Sequence, residues 1–136
     1  MKIEVATELT DAISGLVHSA TRSVSSHRGG EALLVTIHGD RDTDELLRDA
    51  VSSGGLFVAR EHHTVVGFAL RRDGVLEAVY VKKHSRRQGI ARALINTVIS
   101  SSSEPLDAYA LPGDRATKSL YESFGWKARL LTMRAG

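Results

Sequence analysis

The sequence contains no cysteine. A disulfide framework, a thiol nucleophile and a metal site built on cysteine are therefore excluded. A covalent intermediate linked through cysteine is excluded for the same reason, and no other residue pattern indicates a covalent intermediate. Any group-transfer reaction of this chain is expected to pass the group directly from one substrate to the other.

The chain carries little excess charge of either sign. Its 18 Lys and Arg residues against 16 Asp and Glu residues leave a formal net charge of +2, too small to favour general nucleic-acid binding. A nucleic-acid-binding module would also show a steep salt dependence of binding to any oligonucleotide. The positive charge is concentrated around one turn, at Lys82, Lys83, Arg86, Arg87 and Arg92. This concentration favours a small anionic ligand over an extended polyanion.

Long apolar runs are also missing, and none reaches the length of a signal peptide or a membrane span. We therefore expect a cytoplasmic protein without a membrane partner. The adjacent histidines His62 and His63 have no third ligand within reach by sequence. We expect these histidines to be solvated in a turn and the protein to hold no metal.

The length and composition indicate one globular domain. A chain of 136 residues can bury a single core but not two. The apolar fraction of 42% and the charged fraction of 25% are ordinary for a soluble globular protein. We expect residues 1–136 to form one domain.

The stretch at residues 76–99 carries the clearest sequence pattern for a ligand-binding site. It reads as a strand, a tight basic turn that contains Gly89, and a long amphipathic helix. The apolar stripe of this helix consists of Ile90, Ala91, Leu94, Ile95, Val98 and Ile99. A glycine turn at a helix N-terminus presents backbone N–H groups where the positive end of the macrodipole collects, which favours a pyrophosphate. The alternative is an ordinary strand–helix turn with basic residues around it.

The first 55 residues predict one strand and two helices. Residues 2–6 alternate as a strand does, and Thr10 and Asp11 then begin a helix that fades in residues 25–30. Asp42 and Glu45 form a capping-box pattern at the start of a second helix, which two glycines end. Residues 33–37 form a short apolar run that periodicity leaves open as a strand or a buried helical turn.

The middle of the chain predicts a meander of three strands. The strands cover residues 56–61, 64–71 and 75–82, and Asp73 and Gly74 form a hairpin turn between the last two. The amphipathic helix follows from residue 88 to about residue 100. A polar loop at residues 100–105 then leads out of it.

The C-terminal part predicts a strand at residues 106–111 and a helix that Asp114 caps and Gly125 stops. Residues 126–133 have strand-like composition. The full order is β-α-α-β-β-β-α-β-α-β. It predicts an α/β protein of the α+β type, with a mixed central sheet and helices on both faces. The sheet is antiparallel through the meander and then has a parallel β-α-β crossover.

This order and three motifs resemble the GNAT superfamily of acetyl-CoA-dependent N-acetyltransferases. The first motif is RRQGIA at residues 86–91, which fits the family's pyrophosphate loop. The second is EAVYV at residues 77–81, which is similar to the family's central strand. The third is DRATKSLYESFGW at residues 114–126, similar to a closing pattern of Asn, a Leu-Tyr-Glu helix and Gly-Phe. The resemblance extends from about residue 56 onward, and the wording is close to small GNAT proteins of unassigned substrate.

The resemblance implies acetyl-CoA as co-substrate and assigns it a set of binding residues. The pyrophosphate would lie on Arg86, Arg87, Gln88, Gly89, Ile90, Ala91 and Arg92. The backbone groups of Val79 and Val81 would hold the acetyl carbonyl and the pantetheine amides. Tyr80 between them belongs to the same strand, and we expect its side chain to pack. By strand alternation, Glu77, Val79 and Val81 are expected on one face of the sheet.

The resemblance also assigns the chemistry to Tyr121 and Glu77. Acetyl transfer expels a thiolate of pKa about 8.5, which a phenol of pKa about 10 can protonate, and the Tyr of the Leu-Tyr-Glu motif commonly does so. Glu77 stands alone in an apolar strand and is the candidate base for the acceptor ammonium. Against these roles, Tyr121 would be a packing residue and Glu77 would face solvent.

Asp114 and Trp126 depart from the family pattern, which commonly has Asn and Phe there. Asp114 is expected either to contact the cofactor or only to cap the helix. The function predicted is acetyl transfer from acetyl-CoA to a primary amine of a small molecule or protein. A non-catalytic acyl-CoA-binding or sensor domain is the alternative. A closing strand at a sheet edge is compatible with a homodimer.

Overall fold

The computed structural model describes residues 1–103 and 105–136, which form one five-stranded sheet and five α-helices. The strands are β1 (Lys2–Val5), β2 (Leu56–Glu61), β3 (Thr64–Arg72), β4 (Val75–Val81) and β5 (Asp107–Ala108). The helices are α1 (Asp11–Ser25), α2 (Gly30–His38), α3 (Thr43–Ser53), α4 (Ile90–Ser100) and α5 (Arg115–Ser123). A short 3₁₀ turn at Lys83–Ser85 links β4 to the loop before α4.

The strands lie in the order β1-β2-β3-β4-β5. The first four pair antiparallel, whereas β4 and β5 pair in parallel. A parallel pair needs a crossover, and α4 provides it. The mixed sheet predicted from the sequence is therefore confirmed.

Helices cover both faces of the sheet, as predicted. On one face, the buried residues of α1, α2 and α3 pack with Leu56, Val58, Phe68 and Leu70 of the sheet. On the other face, α4 and Tyr121 of α5 pack with Phe57, Ala59, Ala69 and Leu76. Period-2 alternation in the central strands sends neighbouring side chains to these two separate cores.

Side chains at the expected positions cap the N-termini of α1 and α3. The Thr10 hydroxyl accepts from the Ile13 N–H at 3.3 Å at the start of α1. Asp42 and Glu45 form the complete capping box of α3. Each cap satisfies backbone N–H groups that would otherwise have no partner at the helix end.

The apolar run at residues 33–37, which periodicity left open as a strand or a helical turn, lies in helix α2. Five residues are too few for periodicity to separate a strand from a helical turn, and the choice is made by packing of α2 against α1 and the sheet. The order predicted from the sequence omits this helix. Gly30 at its start lies close to α1, since an added Cβ would stand 1.9 Å from the Val24 carbonyl oxygen.

The predicted closing strand at residues 126–133 is wrong. Among residues 105–136, β5 is the one strand, and it is shorter than the predicted 106–111. Leu130, Leu131 and Met133 are exposed, so these apolar side chains do not form part of a core. The predicted polar loop at residues 100–105 includes residue 104, which lies outside the described residues.

None of the helices in the described residues has the length and apolarity needed to cross a bilayer.

Candidate active site

Strands β4 and β5 pair over only two residues and then separate. The pairs are Val75 with Asp107 and Leu76 with Ala108. From Ala78 onward, the side of β4 that faces away from β3 has no pairing strand in the described residues. We call this side of β4 the open edge.

The register of β4 shows which backbone groups lie at the open edge. The Lys82 N–H donates to the Val66 carbonyl at 2.8 Å, and Tyr80 lies opposite Phe68 in the same antiparallel ladder. Hydrogen-bonded pairs alternate along such a ladder, so Tyr80 directs its backbone groups toward β3. Val79 and Val81 therefore direct theirs to the open edge, the position that the resemblance assigns to the pantetheine arm.

Arg86 lies across the end of this edge. Its Nε donates to the Val81 carbonyl at 2.9 Å, and its guanidinium carbon lies 5.4 Å from the centroid of the Tyr80 ring. These contacts agree with an outward-facing Val81 carbonyl. They hold the Arg86 side chain against the end of β4.

The loop before α4 has the geometry of an anion site. Gly89 has φ +79° and precedes the first helical residue, and no side chain within the described residues caps the helix. The first N–H groups of a helix have no intrahelical partner, and the macrodipole gives that end a partial positive charge. An added Cβ at Gly89 would have open space, so the positive φ is what favours glycine here.

The predicted loop residues differ in what their side chains do. Arg87 and Gln88 are exposed, and Arg87 has φ +64°. Ile90 is buried in the core beneath α4. Arg92 contacts α5: its Nη2 donates to Ser123 Oγ at 2.7 Å, and its guanidinium lies 4.8 Å from the Phe124 ring.

Glu77 is the extra residue of a β-bulge. The register pairs Leu70 with Ala78 but Arg71 with Leu76, which leaves Glu77 without an opposite residue. The prediction that Glu77 shares a face of the sheet with Val79 and Val81 is therefore wrong. Leu76 now shares the α4 face with Val79 and Val81, whereas Glu77 lies toward α2.

The Glu77 carboxylate is buried, with 2% of the residue exposed. Its Oε2 accepts from Arg72 Nη2 at 2.9 Å. Burial raises the pKa of Glu77 above its usual value, and the Arg72 guanidinium opposes this shift without cancelling it. The alternative in which Glu77 faces solvent is thus wrong.

Tyr121 is buried on the α4 face of the sheet, opposite to the face on which Glu77 lies. The centroid of its ring is 5.3 Å from that of Trp126. Burial raises the pKa of Tyr121, and the negative charge of Asp114 adds to the shift. The phenol therefore stays protonated at neutral pH, and its mismatch with a departing thiolate is larger than for an ordinary tyrosine. Oε1 of Glu77 and Oη of Tyr121 are the two buried side-chain polar atoms of the described residues without a hydrogen-bond partner. We call them the two unbonded atoms.

Asp114 is the N-cap of α5. Its Oδ1 accepts from the Thr117 N–H at 3.2 Å, and its Oδ2 accepts from the Thr117 hydroxyl at 2.7 Å. The capping role expected for Asp114 is thus confirmed. A contact of Asp114 with the cofactor stays a prediction.

A cavity of about 80 Å³ brings Glu77, Tyr121 and Asp114 together with Val79 and Tyr80 of the open edge. It extends from the gap between β4 and α5 to the inner sides of α1 and α2. The buried polar groups of the candidate chemistry therefore share one space with the strand edge that is predicted to hold the cofactor.

A sequence model of the family described as "Acetyltransferase (GNAT) domain" matches residues 22–132. The chain belongs to the GNAT acetyltransferase family. Among curated proteins, none matches this chain at a significant level.

Solved structures share the fold of this GNAT chain. A ribosomal-protein-alanine N-acetyltransferase from Brucella melitensis biovar Abortus 2308 matches with a TM-score of 0.66 and 20% identity, over 99% of this chain and 100% of that one. The PaiA N-acetyltransferase from Thermoplasma acidophilum, solved in complex with coenzyme A, matches with a TM-score of 0.69 and 14% identity, over 95% and 92%. An N-acetyltransferase from Staphylococcus aureus Mu50 matches with a TM-score of 0.67 and 22% identity, over 93% and 82%.

In this GNAT chain, the residues of α1 and α2 that line the cavity were not among the predicted site residues. Leu33, Leu34, Ile37 and His38 line it from α2. The available signal was the apolar run at residues 33–37, but its helical state had to be known before its inner face could be assigned.

His62 and His63 lie exposed at the turn between β2 and β3, as expected, and both have positive φ. No group of three or more His, Asp or Glu side chains in residues 1–103 and 105–136 is placed to hold a metal ion.

Proposed function

We propose that this GNAT-family protein transfers an acetyl group from acetyl-CoA to a primary amine by direct attack. The observation that carries the proposal is the connection of two features. The open edge of β4 leads from the N-terminus of α4 into the cavity, and the two unbonded atoms belong to residues that line that cavity.

Acetyl-CoA as co-substrate is supported by the loop geometry and by the solved structures. The Thermoplasma acidophilum relative was solved with coenzyme A bound. In this chain the N–H groups at the start of α4 would bind the pyrophosphate, and the exposed cations Lys82, Lys83, Arg86 and Arg87 would add charge. The outward N–H groups of Val79 and Val81 and the Val79 C=O would hold the pantetheine arm and the acetyl carbonyl, as an added strand does, while the Val81 C=O accepts from Arg86.

The reaction needs two proton movements. An ammonium acceptor first loses a proton, and Glu77 is the base that we assign to this step. The neutral nitrogen then bonds to the acetyl carbon while the carbon–sulfur bond breaks, and Tyr121 protonates the departing thiolate. The nitrogen loses a second proton and Tyr121 recovers its own. Amide, CoA thiol and one released proton balance the ammonium and the thioester.

Burial acts differently on the two groups: it favours Glu77 as a base, and it keeps Tyr121 protonated at the cost of a larger pKa mismatch with the thiolate. The raised pKa of Glu77 makes its carboxylate more basic than an exposed one, and the raised pKa of Tyr121 keeps a proton available. Positioning of the two substrates and polarisation of the carbonyl by a strand N–H would supply the rest of the acceleration.

A non-catalytic acyl-CoA-binding or sensor domain is the competing function. It would use the same loop and open edge but would need neither unbonded atom. We also propose that residues 1–136 act as one domain in the cytoplasm, without metal, nucleic-acid or membrane partners. The closing strand on which the homodimer expectation rested does not form at residues 126–133.

Calorimetric titration with acetyl-CoA tests the first half of the proposal. The native protein should bind, and Gly89→Glu should abolish binding, because it places a carboxylate where the pyrophosphate would lie. Gly54→Glu is the matched control, since Gly54 also has positive φ and open space around it but caps α3 instead. A folded native protein that does not bind acetyl-CoA would overturn the proposal.

Thiol release in the presence of an acceptor panel tests the second half. Turnover that falls sharply in Tyr121→Phe, with acetyl-CoA affinity retained, supports the enzyme. Binding without turnover on any amine supports the sensor.

A further inference from the structure

The inner wall of the cavity is apolar on the side of α1 and α2. Val17, Ala20, Val24, Leu33, Leu34 and Ile37 form it. Val24, Leu33 and Leu34 are only half-buried, so this wall reaches the surface. An apolar group placed here would lose water contact on several sides, which is favourable.

The polar side chains along this wall are already occupied by the protein itself. His38 uses both ring nitrogens, with Nδ1 at 2.9 Å from the Leu34 carbonyl and Nε2 at 3.1 Å from Thr43 Oγ1. The Thr21 hydroxyl donates to the Val17 carbonyl at 3.0 Å. These groups have little capacity left for the hydroxyls of a sugar or for additional amines.

The two unbonded atoms are therefore the fully buried polar side-chain contacts left to a ligand in this cavity, which the half-buried Tyr80 and Tyr109 also line. Glu77 offers one carboxylate oxygen, because Arg72 already takes the other. One such oxygen can hold one ammonium group. A second ammonium on the same ligand would find no free carboxylate in this cavity, because both oxygens of Asp114 already accept from Thr117, and its desolvation against the apolar wall is costly.

We propose that the acceptor is a monoamine on a compact apolar body, such as a branched aliphatic or aryl group. This inference rests on the proposed function. The amine lies at Glu77 and Tyr121, and the apolar body lies against α1 and α2. Polyamines and aminoglycosides, which carry several ammonium groups, are poor acceptors.

A panel of amines at saturating acetyl-CoA tests the class. The apolar monoamines are isoamylamine and phenethylamine, and the polycations are spermidine and kanamycin. We expect kcat/KM, followed by thiol release, to be at least about tenfold higher for the monoamines. A preference for spermidine or kanamycin overturns the inference.

Two neighbouring residues of α2 provide a matched pair of variants. Leu34 lines the cavity, whereas the next residue, Val35, is 70% exposed. Leu34→Glu should lower kcat/KM for isoamylamine about tenfold and raise the relative rate with spermidine, because it adds an anion to the apolar wall. Val35→Glu adds the same charge outside the cavity and should leave both rates unchanged.

A binding readout separates this inference from the proposed function. Saturation-transfer NMR with CoA present should detect phenethylamine on the native protein and on Val35→Glu, and not on Leu34→Glu. Calorimetry should give the same acetyl-CoA affinity for all three, which also shows that the variants fold. If acetyl-CoA does not bind, the proposed function fails. If it binds but Leu34→Glu and Val35→Glu behave alike, only the acceptor class is wrong.

Discussion

Arg72 Nη2 and Glu77 Oε2 form an ion pair at 2.9 Å in which one partner is half in solvent and the other is almost wholly buried. The same Arg72 nitrogen also donates to the Thr36 carbonyl of α2 at 3.3 Å. Arg72 therefore connects the end of β3, the bulge of β4 and helix α2. It occupies one carboxylate oxygen of Glu77, and the other has no hydrogen-bond partner among the described residues.

Glu77→Gln should change how stability depends on pH. Because burial raises the pKa of Glu77 in the folded protein, folding favours the protonated form. This contribution is fully present below the unfolded value near 4.5 and is lost as pH rises through the higher folded pKa. Urea unfolding from pH 4 to pH 8 should therefore show a smaller decline in the variant than in the native protein. Parallel profiles would contradict the burial of an ionisable Glu77.

Tyr121→Phe should raise stability while it lowers activity. The Tyr121 hydroxyl is buried and is one of the two unbonded atoms, so its removal relieves a desolvation cost of about 1 kcal/mol. If Tyr121 is the general acid, kcat should fall about 100-fold. Urea unfolding and thiol-release kinetics measure the two effects. A hydroxyl that merely packs would give the stability gain with kcat unchanged.

Arg92→Ala should lower the free energy of unfolding by about 1 kcal/mol. The guanidinium joins α4 to α5 through Ser123 Oγ and the Phe124 ring, and the variant loses both contacts. Arg87→Ala is the control, because it removes an exposed guanidinium of the same basic turn. Denaturant unfolding compares the two, and equal stabilities would contradict a linking role for Arg92. Acetyl-CoA calorimetry on the same variants reports separately on the predicted cofactor contact.

Gly15→Ala and Gly55→Ala should shift stability in opposite directions. Gly15 lies within α1 with open space around its Cα, so alanine should stabilise the helix by about 1 kcal/mol. An added Cβ at Gly55 would stand 2.1 Å from the Arg71 carbonyl oxygen. The backbone would have to shift to avoid this overlap, which should lower the free energy of unfolding by about 2 kcal/mol or more. Thermal unfolding of the two variants is the measurement. A stabilised Gly55→Ala would mean that β2 and β3 separate more easily than their hydrogen bonds indicate.

The fold was readable from the sequence wherever a pattern is local. Caps such as Thr10 and Asp42 act within one helical turn, and the stripe of α4 repeats within eleven residues. The RRQGIA turn also acts within a few residues, so its geometry at Gly89 follows from the motif itself. These features need no information about distant parts of the chain.

The details of the site depend on contacts between residues that are far apart in the chain. Whether Glu77 shares a face with Val79 depends on the register of β4 against β3, where one unpaired residue reverses the alternation. The state of residues 33–37 depends on packing against α1. The strand-like composition of residues 126–133 has no consequence without a neighbouring strand, because strands are stabilised by pairing.

By itself, the sequence determined the fold class, the basic glycine turn before α4 and the residue types available for the proposed acetyl transfer. These depend on periodicity, caps and glycine placement, which act over a few residues. Only the tertiary structure decided that Glu77 is buried against Arg72, that Arg92 holds α5, and that one cavity joins Tyr121 to the apolar sides of α1 and α2. Burial and ion pairing arise between residues far apart in the chain, so their energies appear only when the elements pack.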